Sequence, residues 1–155
     1  MPMLSRAVFG LVRFAARHGL AESQPSESAK QQARRTGVRG ETYAYWYLRR
    51  QGYIMVARNY RAPETKGEID IVGYDGSVLA FVEVKTRSGT EDRPGLPEEA
   101  VTPDKRKHVE RMARRFLAER RVIGTSWRFD VVAIENRPRQ APLIRLHKGA
   151  FAAGS

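Results

Sequence analysis

The segment from Gly67 to Lys85 constrains the fold of this 155-residue chain more than any other. It reads GEIDIVGYDGSVLAFVEVK, with two apolar runs around Asp75-Gly76, a dipeptide favoured in two-residue hairpin turns. With these two residues as the turn, Asp70 is predicted to face Phe81. Both faces of the hairpin are apolar, which predicts a central position in a sheet with helices covering each side.

Four charged side chains lie near the end of this hairpin that is away from the turn. Side chains alternate along a strand, so all four project from one face. They are Glu68, Asp70, Glu83 and Lys85. Asp70 and Glu83 are predicted to be diagonal neighbours with Cα atoms about 7–8 Å apart, a separation at which two carboxylates can bind one cation. Oxygen ligands favour Mg²⁺ or Mn²⁺. The alternative is a salt-bridge cluster in which Lys85 neutralises Glu83 or Asp70.

Two helical residues are candidates for the same site. Glu41 lies in a predicted helix at 38–51, on the face of Leu48, and is either a surface residue stabilised by the helix dipole or part of the acidic site. Lys105 lies four residues before Val109 in a second predicted helix and continues its apolar stripe. It is expected to contact a phosphate, or else to extend its amine past the core to solvent.

The order of predicted elements is typical of a small α/β or α+β layer domain. After the first helix come strands at 53–58, 68–74 and 77–86, then the second helix from Pro103 to about Arg121, a strand at 127–134 and an edge strand at 143–147. Residues 1–36 are predicted to form a basic N-terminal arm, a short amphipathic helix followed by a flexible linker, and residues 37–150 the compact domain.

Composition excludes several classes of protein. With no cysteine, the chain has no disulfide scaffold, cysteine zinc site, iron–sulfur cluster or thiol nucleophile. The longest apolar stretches are far shorter than about 20 residues, so no integral membrane segment is expected, and the expected location is the cytoplasm. The net charge of +11 indicates a nucleic acid, an anionic membrane surface or an acidic partner. An arginine-rich proteome is the alternative explanation.

An ordered series of short motifs over about residues 37–135 resembles a known family. Its pattern is a helix bearing a glutamate, followed by an acid, a spacer and Glu-x-Lys across a hairpin. The segments are Gly40-Glu41, Gly52-Tyr53, Arg58-Asn59-Tyr60-Arg61, Gly67-Glu68-Ile69-Asp70, Phe81–Arg87, Glu99-Ala100-Val101, Lys105-Arg106 and Arg128–Val132. The series is similar to the bacterial YraN-like uncharacterised protein family (uncharacterised protein family 0102) of the PD-(D/E)XK nuclease superfamily, which is related to Holliday junction resolvases.

This resemblance implies a fold, a metal site and an activity. The fold would be a restriction-endonuclease-like α/β core, a mixed central sheet of four to five strands flanked by helices. Asp70 and Glu83 would be metal ligands, Lys85 would orient or activate water, and Glu41 would stand for the helix-borne acid of the resolvases. The sequence departs from the pattern where Ile69 replaces the proline that often precedes the first acid.

The main functional hypothesis is a Mg²⁺- or Mn²⁺-dependent nuclease that hydrolyses phosphodiesters in DNA or branched nucleic acid. Glu41 or Glu68 would complete the metal site. The residues expected to contact nucleic acid are Arg61, Arg87, Lys105 and Arg106. Resolvase-like cleavage of two strands would favour a homodimer. The alternatives are a non-catalytic nucleic-acid-binding module on the same fold, and an interaction protein whose arm reaches a membrane or a partner.

Overall fold

A computed structural model gives the fold and describes residues 2–19, 28–88 and 101–151. Three helices and five strands occur in these residues, and the strands form one sheet in the order β1-β2-β3-β4-β5. The elements are α1 (Pro2–Gly19), α2 (Ala29–Arg50), β1 (Ile54–Tyr60), β2 (Ile69–Asp75), β3 (Val78–Ser88), α3 (Pro103–Glu119), β4 (Trp127–Asn136) and β5 (Leu143–Phe151). The expected α/β fold with a restriction-endonuclease-like core is confirmed, and the edge strand extends four residues beyond its predicted end.

The sheet contains both strand orientations. The β1–β2 and β2–β3 pairs are antiparallel. By contrast, the backbone N–H of Leu79, near the start of β3, donates to the carbonyl of Ser126, which immediately precedes β4, over 2.9 Å. Because β3 and β4 begin at the same end, they run in the same direction, and the α3 segment connects them. The sheet is therefore mixed, as the resemblance implied.

The register of the β2–β3 hairpin differs from the predicted register by two residues. Asp75 pairs with Val78 and Val72 pairs with Phe81, so the prediction that Asp70 faces Phe81 is wrong. The turn comprises Gly76 and Ser77, and Gly76 has the left-handed φ of +61° that such a turn needs. A shift of two residues moves no side chain to the other face.

Interactions of Asp75 account for this register. Arg128 and Lys148 donate to its Oδ2 over 2.6 and 2.7 Å. These partners lie far from Asp75 in sequence, and they hold it in the strand rather than in the turn. The Asp-Gly turn preference gave no information about such long-range contacts.

One compact unit comprises the described residues at 53–83, 101–131 and 146–151. In its core, α3 packs on one face of the sheet, and the rings of Phe81 and Phe116 lie edge to face with centroids 5.7 Å apart. Thr102 caps α3 by accepting from the backbone N–H of Lys105, and Pro103 begins the helix as predicted. The buried cluster includes Val72, Leu79, Phe81, Val109, Met112, Ala113, Phe116, Phe129, Val131 and Phe151.

The other unit comprises the described residues at 2–19, 28–52, 84–88 and 132–145. Its helix α2 begins at Ala29, nine residues before the predicted start, because Ser28 and Gln31 form a capping box. Residues 29–35, predicted to be a flexible linker, are therefore helical, and residues 21–27 of that linker lie outside the described residues. The predicted domain boundary between residues 36 and 37 stays a prediction.

Candidate metal centre

Two acids occupy facing positions of the central hairpin at the end away from its turn. Extended by one residue beyond the Ile71–Val82 pair, the register sets Asp70 opposite Glu83. Facing residues have Cα atoms about 4.5–5.5 Å apart, closer than the predicted diagonal. Both side chains project from the face that α3 covers. Asp70 is 9% exposed and the Glu83 side chain 11%, so the two carboxylates lie in a largely buried position.

Lys105 reaches these acids from the first turn of α3. Its Nζ donates to Oε1 of Glu83 and forms a salt bridge with it. The stripe that Lys105 continues is buried at Val109 and Met112, as predicted. An ammonium beside a buried carboxylate offsets part of the cost of removing that charge from water. In this arrangement Lys105 pairs with an acid of the candidate site.

Glu68 lies at the exposed side of the same group. Glu68 and Asp70 each offer a carboxylate oxygen within 4.8 Å of the other. Glu68 also accepts from Nε of Arg61 over 2.9 Å and forms a salt bridge with it. Arg61, predicted to contact nucleic acid, is itself exposed and stands next to the acids.

In the unit that contains α2, a close approach places Glu41 and Lys85 on adjacent segments. A Cβ atom added at Gly40 would overlap the hydroxyl of Thr86, so only glycine allows this approach. Glu41 directly follows Gly40, and Lys85 directly precedes Thr86. Lys85 lies two residues after Glu83 and projects from the same side of β3. The roles of Glu41 and Lys85 stay predictions.

The remaining predicted nucleic-acid contacts differ in their surroundings. Arg87 is exposed near the end of β3. Arg106 is partly buried, with its Nε donating to the carbonyl of Val101 over 3.1 Å and its guanidinium 5.5 Å from the centre of the Phe151 ring. Any contact of Arg106 with a phosphate would therefore compete with these internal contacts.

The environment of His108 was not predicted from the sequence. The Nε2 atom of His108 lies 3.1 Å from the position of a Cβ added at Gly67, which has a left-handed φ of +90°. His108 follows Lys105 by three residues, one turn along α3, and Gly67 directly precedes Glu68. The spacing of Lys105 and His108 was the available signal, because residues three apart share a helix face.

A second buried ionic group, near the hairpin turn, was also missed. Asp130 is fully buried and accepts from the Tyr53 hydroxyl over 2.9 Å, Nε of Arg128 over 2.8 Å and the backbone N–H of Gly149 over 2.9 Å. Burial raises the pKa of Tyr53, and the hydrogen bond to Asp130 raises the pKa of Arg128. The Arg-x-Asp spacing at the start of β4 was the signal, since it puts both charges on one face.

Comparison with known proteins identifies the family of this chain. The model of the uncharacterised protein family UPF0102 matches residues 40–134. A UPF0102 protein of Koribacter versatilis is 45% identical over 118 residues, 76% of this chain and 79% of that protein. A UPF0102 protein of Symbiobacterium thermophilum is 44% identical over 121 residues, 78% of this chain and 99% of that protein. The chain belongs to UPF0102, as the resemblance implied.

Proposed function

We propose that this protein is a metal-dependent nuclease that hydrolyses phosphodiester bonds in DNA or branched nucleic acid with Mg²⁺ or Mn²⁺. The observation that carries the proposal is the pair of largely buried carboxylates of Asp70 and Glu83, which face each other across a central hairpin. Like charges on facing residues repel each other, and a divalent cation between them offsets that repulsion.

The surrounding groups fit a hard cation. The donors available at Glu68, Asp70 and Glu83 are carboxylate oxygens, which suit Mg²⁺ or Mn²⁺ better than a softer metal. In our proposal Asp70 and Glu83 are the principal ligands, and Glu41 and Glu68 supply further carboxylates. For Glu68 this would require exchange of its salt bridge with Arg61, which is exposed and therefore contributes little stability.

The chemistry follows from the same side chains. The bound metal would lower the pKa of a water molecule and stabilise the charge on the scissile phosphate. Lys85 would orient the attacking water, since it projects from the same side of β3 as Glu83. Lys105 would pass from Glu83 to a substrate phosphate, and Arg61, Arg87 and Arg106 would hold neighbouring phosphates.

A cleavage panel with matched variants tests this proposal. Single-stranded, flapped and four-way DNA would be incubated with Mg²⁺ or Mn²⁺, and we expect product from at least one substrate. Asp70→Asn and Glu83→Gln should each reduce the rate at least about 100-fold, a loss typical of catalytic groups. Glu135→Gln is the control, because Glu135 lies near the end of β4 and its salt bridge is with Arg137, which is not a residue of the candidate site. Cleavage that survives both Asp70→Asn and Glu83→Gln would refute the mechanism.

A non-catalytic nucleic-acid-binding module is the second candidate. The salt bridge between Lys105 and Glu83 favours it, because a lysine that pairs with this carboxylate can replace a metal ion in stabilising it. Exposed basic residues on α3, such as Lys107 and Arg111, could then follow a phosphate backbone. This hypothesis predicts nucleic-acid binding that EDTA leaves unchanged and that weakens steeply with rising salt concentration. It also predicts that no substrate of the panel is cleaved.

A further inference from the structure

Helix α1 carries apolar side chains on two opposite faces, of which one is buried against α2 and the other is largely exposed. Phe9 is buried and stacks on Tyr43 of α2, with ring centroids 5.5 Å apart. On the other side, Leu4, Leu11 and Phe14 are 67%, 69% and 64% exposed. At about 100° per residue these three project within about 80° of one another, away from Phe9. Three large apolar side chains on one exposed face are typical of an interaction surface.

Small and basic residues complete this surface, which we call the α1 outer face. Ala7 and Ala15 are exposed on the same side of α1, so the apolar stripe extends over residues 4–15, about 17 Å of helix. Arg6 and Arg13 are exposed on one flank of α1, about 80–100° from Phe14 and between the stripe and the face of Phe9. The sequence has no acidic residue before Glu22, so the charged side chains of α1 are basic.

A groove opens beside the same residues. It has a volume of about 520 Å³ and is lined by Gly10, Arg13, Phe14, Gln140 and Ala141. The groove places a guanidinium next to an exposed aromatic ring. This combination suits a phospholipid, whose phosphate would meet Arg13 while its hydrocarbon part contacts Phe14.

We propose that the α1 outer face binds the surface of an anionic lipid bilayer, with the apolar stripe inserted at the interface and the arginines against the headgroups. An exposed apolar stripe on a helix whose charged side chains are basic is the pattern of helices that lie in the membrane interface. A second copy of the chain fits less well, because the charged side chains of α1 are basic, so two copies of this helix would repel each other without acids of α1 to neutralise them. Among the described residues, none of the helices has the length together with the apolar character of a membrane-spanning segment.

Vesicle flotation with the full chain tests this inference without reference to nuclease activity. Vesicles of phosphatidylcholine alone would be compared with an equimolar mixture of phosphatidylcholine and phosphatidylglycerol. We expect binding to the anionic vesicles, weak binding to the neutral ones, and release as the salt concentration rises from about 0.05 to 0.5 M. Equal binding to both vesicle types, or binding to neither, would overturn the proposal.

Two pairs of substitutions separate the apolar and charged contributions. Leu11→Ser/Phe14→Ser should weaken binding at least about tenfold, since two apolar side chains leave the bilayer. Arg6→Ala/Arg13→Ala should weaken it by about fivefold for each arginine. Ile123→Ser is the matched control, because Ile123 is an apolar residue of the other unit and is 90% exposed. The vesicle binding of this variant should match that of wild type.

Measurement of the oligomeric state distinguishes a lipid surface from an interface between copies. The wild type could be a dimer that does not bind vesicles and that dissociates when Leu11→Ser/Phe14→Ser is introduced. In that case the α1 outer face is an interface between copies, and the inference is wrong. If circular dichroism shows that the serine variant is unfolded, the vesicle binding of Arg6→Ala/Arg13→Ala is compared with that of wild type, and unchanged binding would refute the proposal. Binding that neither pair of substitutions changes would also refute the proposal.

Discussion

Asp70 on β2 and Glu83 on β3 lie directly opposite each other, on the face of the sheet that α3 covers. Lys105 of α3 forms a salt bridge with Glu83. A carboxylate oxygen of Glu68 lies within 4.8 Å of a carboxylate oxygen of Asp70. Because these groups are clustered and partly buried, a change in any one of them alters the electrostatic balance of the others. Substitutions at this cluster should therefore change stability and cation binding together.

Replacement of Lys105 by methionine should reveal this balance. Without the ammonium, the repulsion between the facing acids is no longer offset, so we expect the free energy of unfolding in EDTA to fall by about 1–2 kcal/mol. This loss is smaller than that expected for a fully buried salt bridge, because Lys105 is partly exposed. Mg²⁺ should restore more stability to Lys105→Met than to wild type, since the lysine no longer competes for Glu83. Urea denaturation with and without Mg²⁺ measures both effects.

The control for this experiment is Lys107→Met, which removes an exposed lysine from the same helix. We expect its unfolding curve, with and without Mg²⁺, to match that of wild type. If Mg²⁺ stabilises neither wild type nor Lys105→Met, the acids are a salt-bridge cluster and not a metal site.

Gly40 should tolerate no side chain. In Gly40→Ala the new methyl group would overlap the Thr86 hydroxyl, and we expect a loss of about 1–3 kcal/mol in the free energy of unfolding. Thr86→Ala removes that hydroxyl and should rescue much of the loss in the double variant. A double-mutant cycle by urea denaturation measures the coupling. Equal losses for Gly40→Ala with and without Thr86→Ala would contradict the proposed contact.

The face on which the acids lie could be predicted from the sequence, but their partners could not. Alternation of side chains along two strands predicted that Glu68, Asp70 and Glu83 lie on one side of the sheet. This assignment is unaffected by the register error of two residues, because side chains alternate with a period of two. The register itself depends on Asp75, which Arg128 and Lys148 bind from distant parts of the chain. A local turn preference contains no information about those residues.

The helices show the same division between local and distant information. The start of α3 was predicted because Thr102, Pro103 and Asp104 are local signals. The start of α2 was missed, although Ser28 and Gln31 form a capping box, because the polar composition around them indicated a linker. The burial of Phe9 against α2 required tertiary contacts, so the arm was predicted without a packing partner.

Tyr60 should titrate at unusually high pH. Burial, together with the hydrogen bond of 2.8 Å to Glu119, raises the pKa of Tyr60 to about 12. The contribution of this tyrosine to stability is present below the ordinary pKa of about 10 and is lost as the pH rises through 12. Ultraviolet titration of wild type minus Tyr60→Phe isolates this hydroxyl. A difference curve with its midpoint near 10 would contradict the hydrogen bond to Glu119.

Loss of the buried carboxylate near the hairpin turn should be severe. Asp130→Asn leaves Arg128 partly buried without its main counter-ion, and we expect the free energy of unfolding to fall by about 3–5 kcal/mol. Urea denaturation measures the loss, and Glu135→Gln on the same strand should lower stability by less than about 1 kcal/mol because its salt bridge is exposed. Equal small losses in both variants would show that the Asp130 network is not a main source of stability.

Acid should destabilise the protein partly through Asp75. The hydrogen bonds from Lys148 and then from Arg128 hold the pKa of Asp75 below its ordinary value. Because the pKa in the folded state is lowered, the stabilisation is fully present above the ordinary pKa of about 3.9 and is lost as the pH falls through the lower, folded-state value. Urea unfolding of wild type and Asp75→Asn from neutral pH into this range should show converging stabilities. If the difference between them is the same at every pH, the ionised Asp75 carboxylate does not stabilise this hairpin.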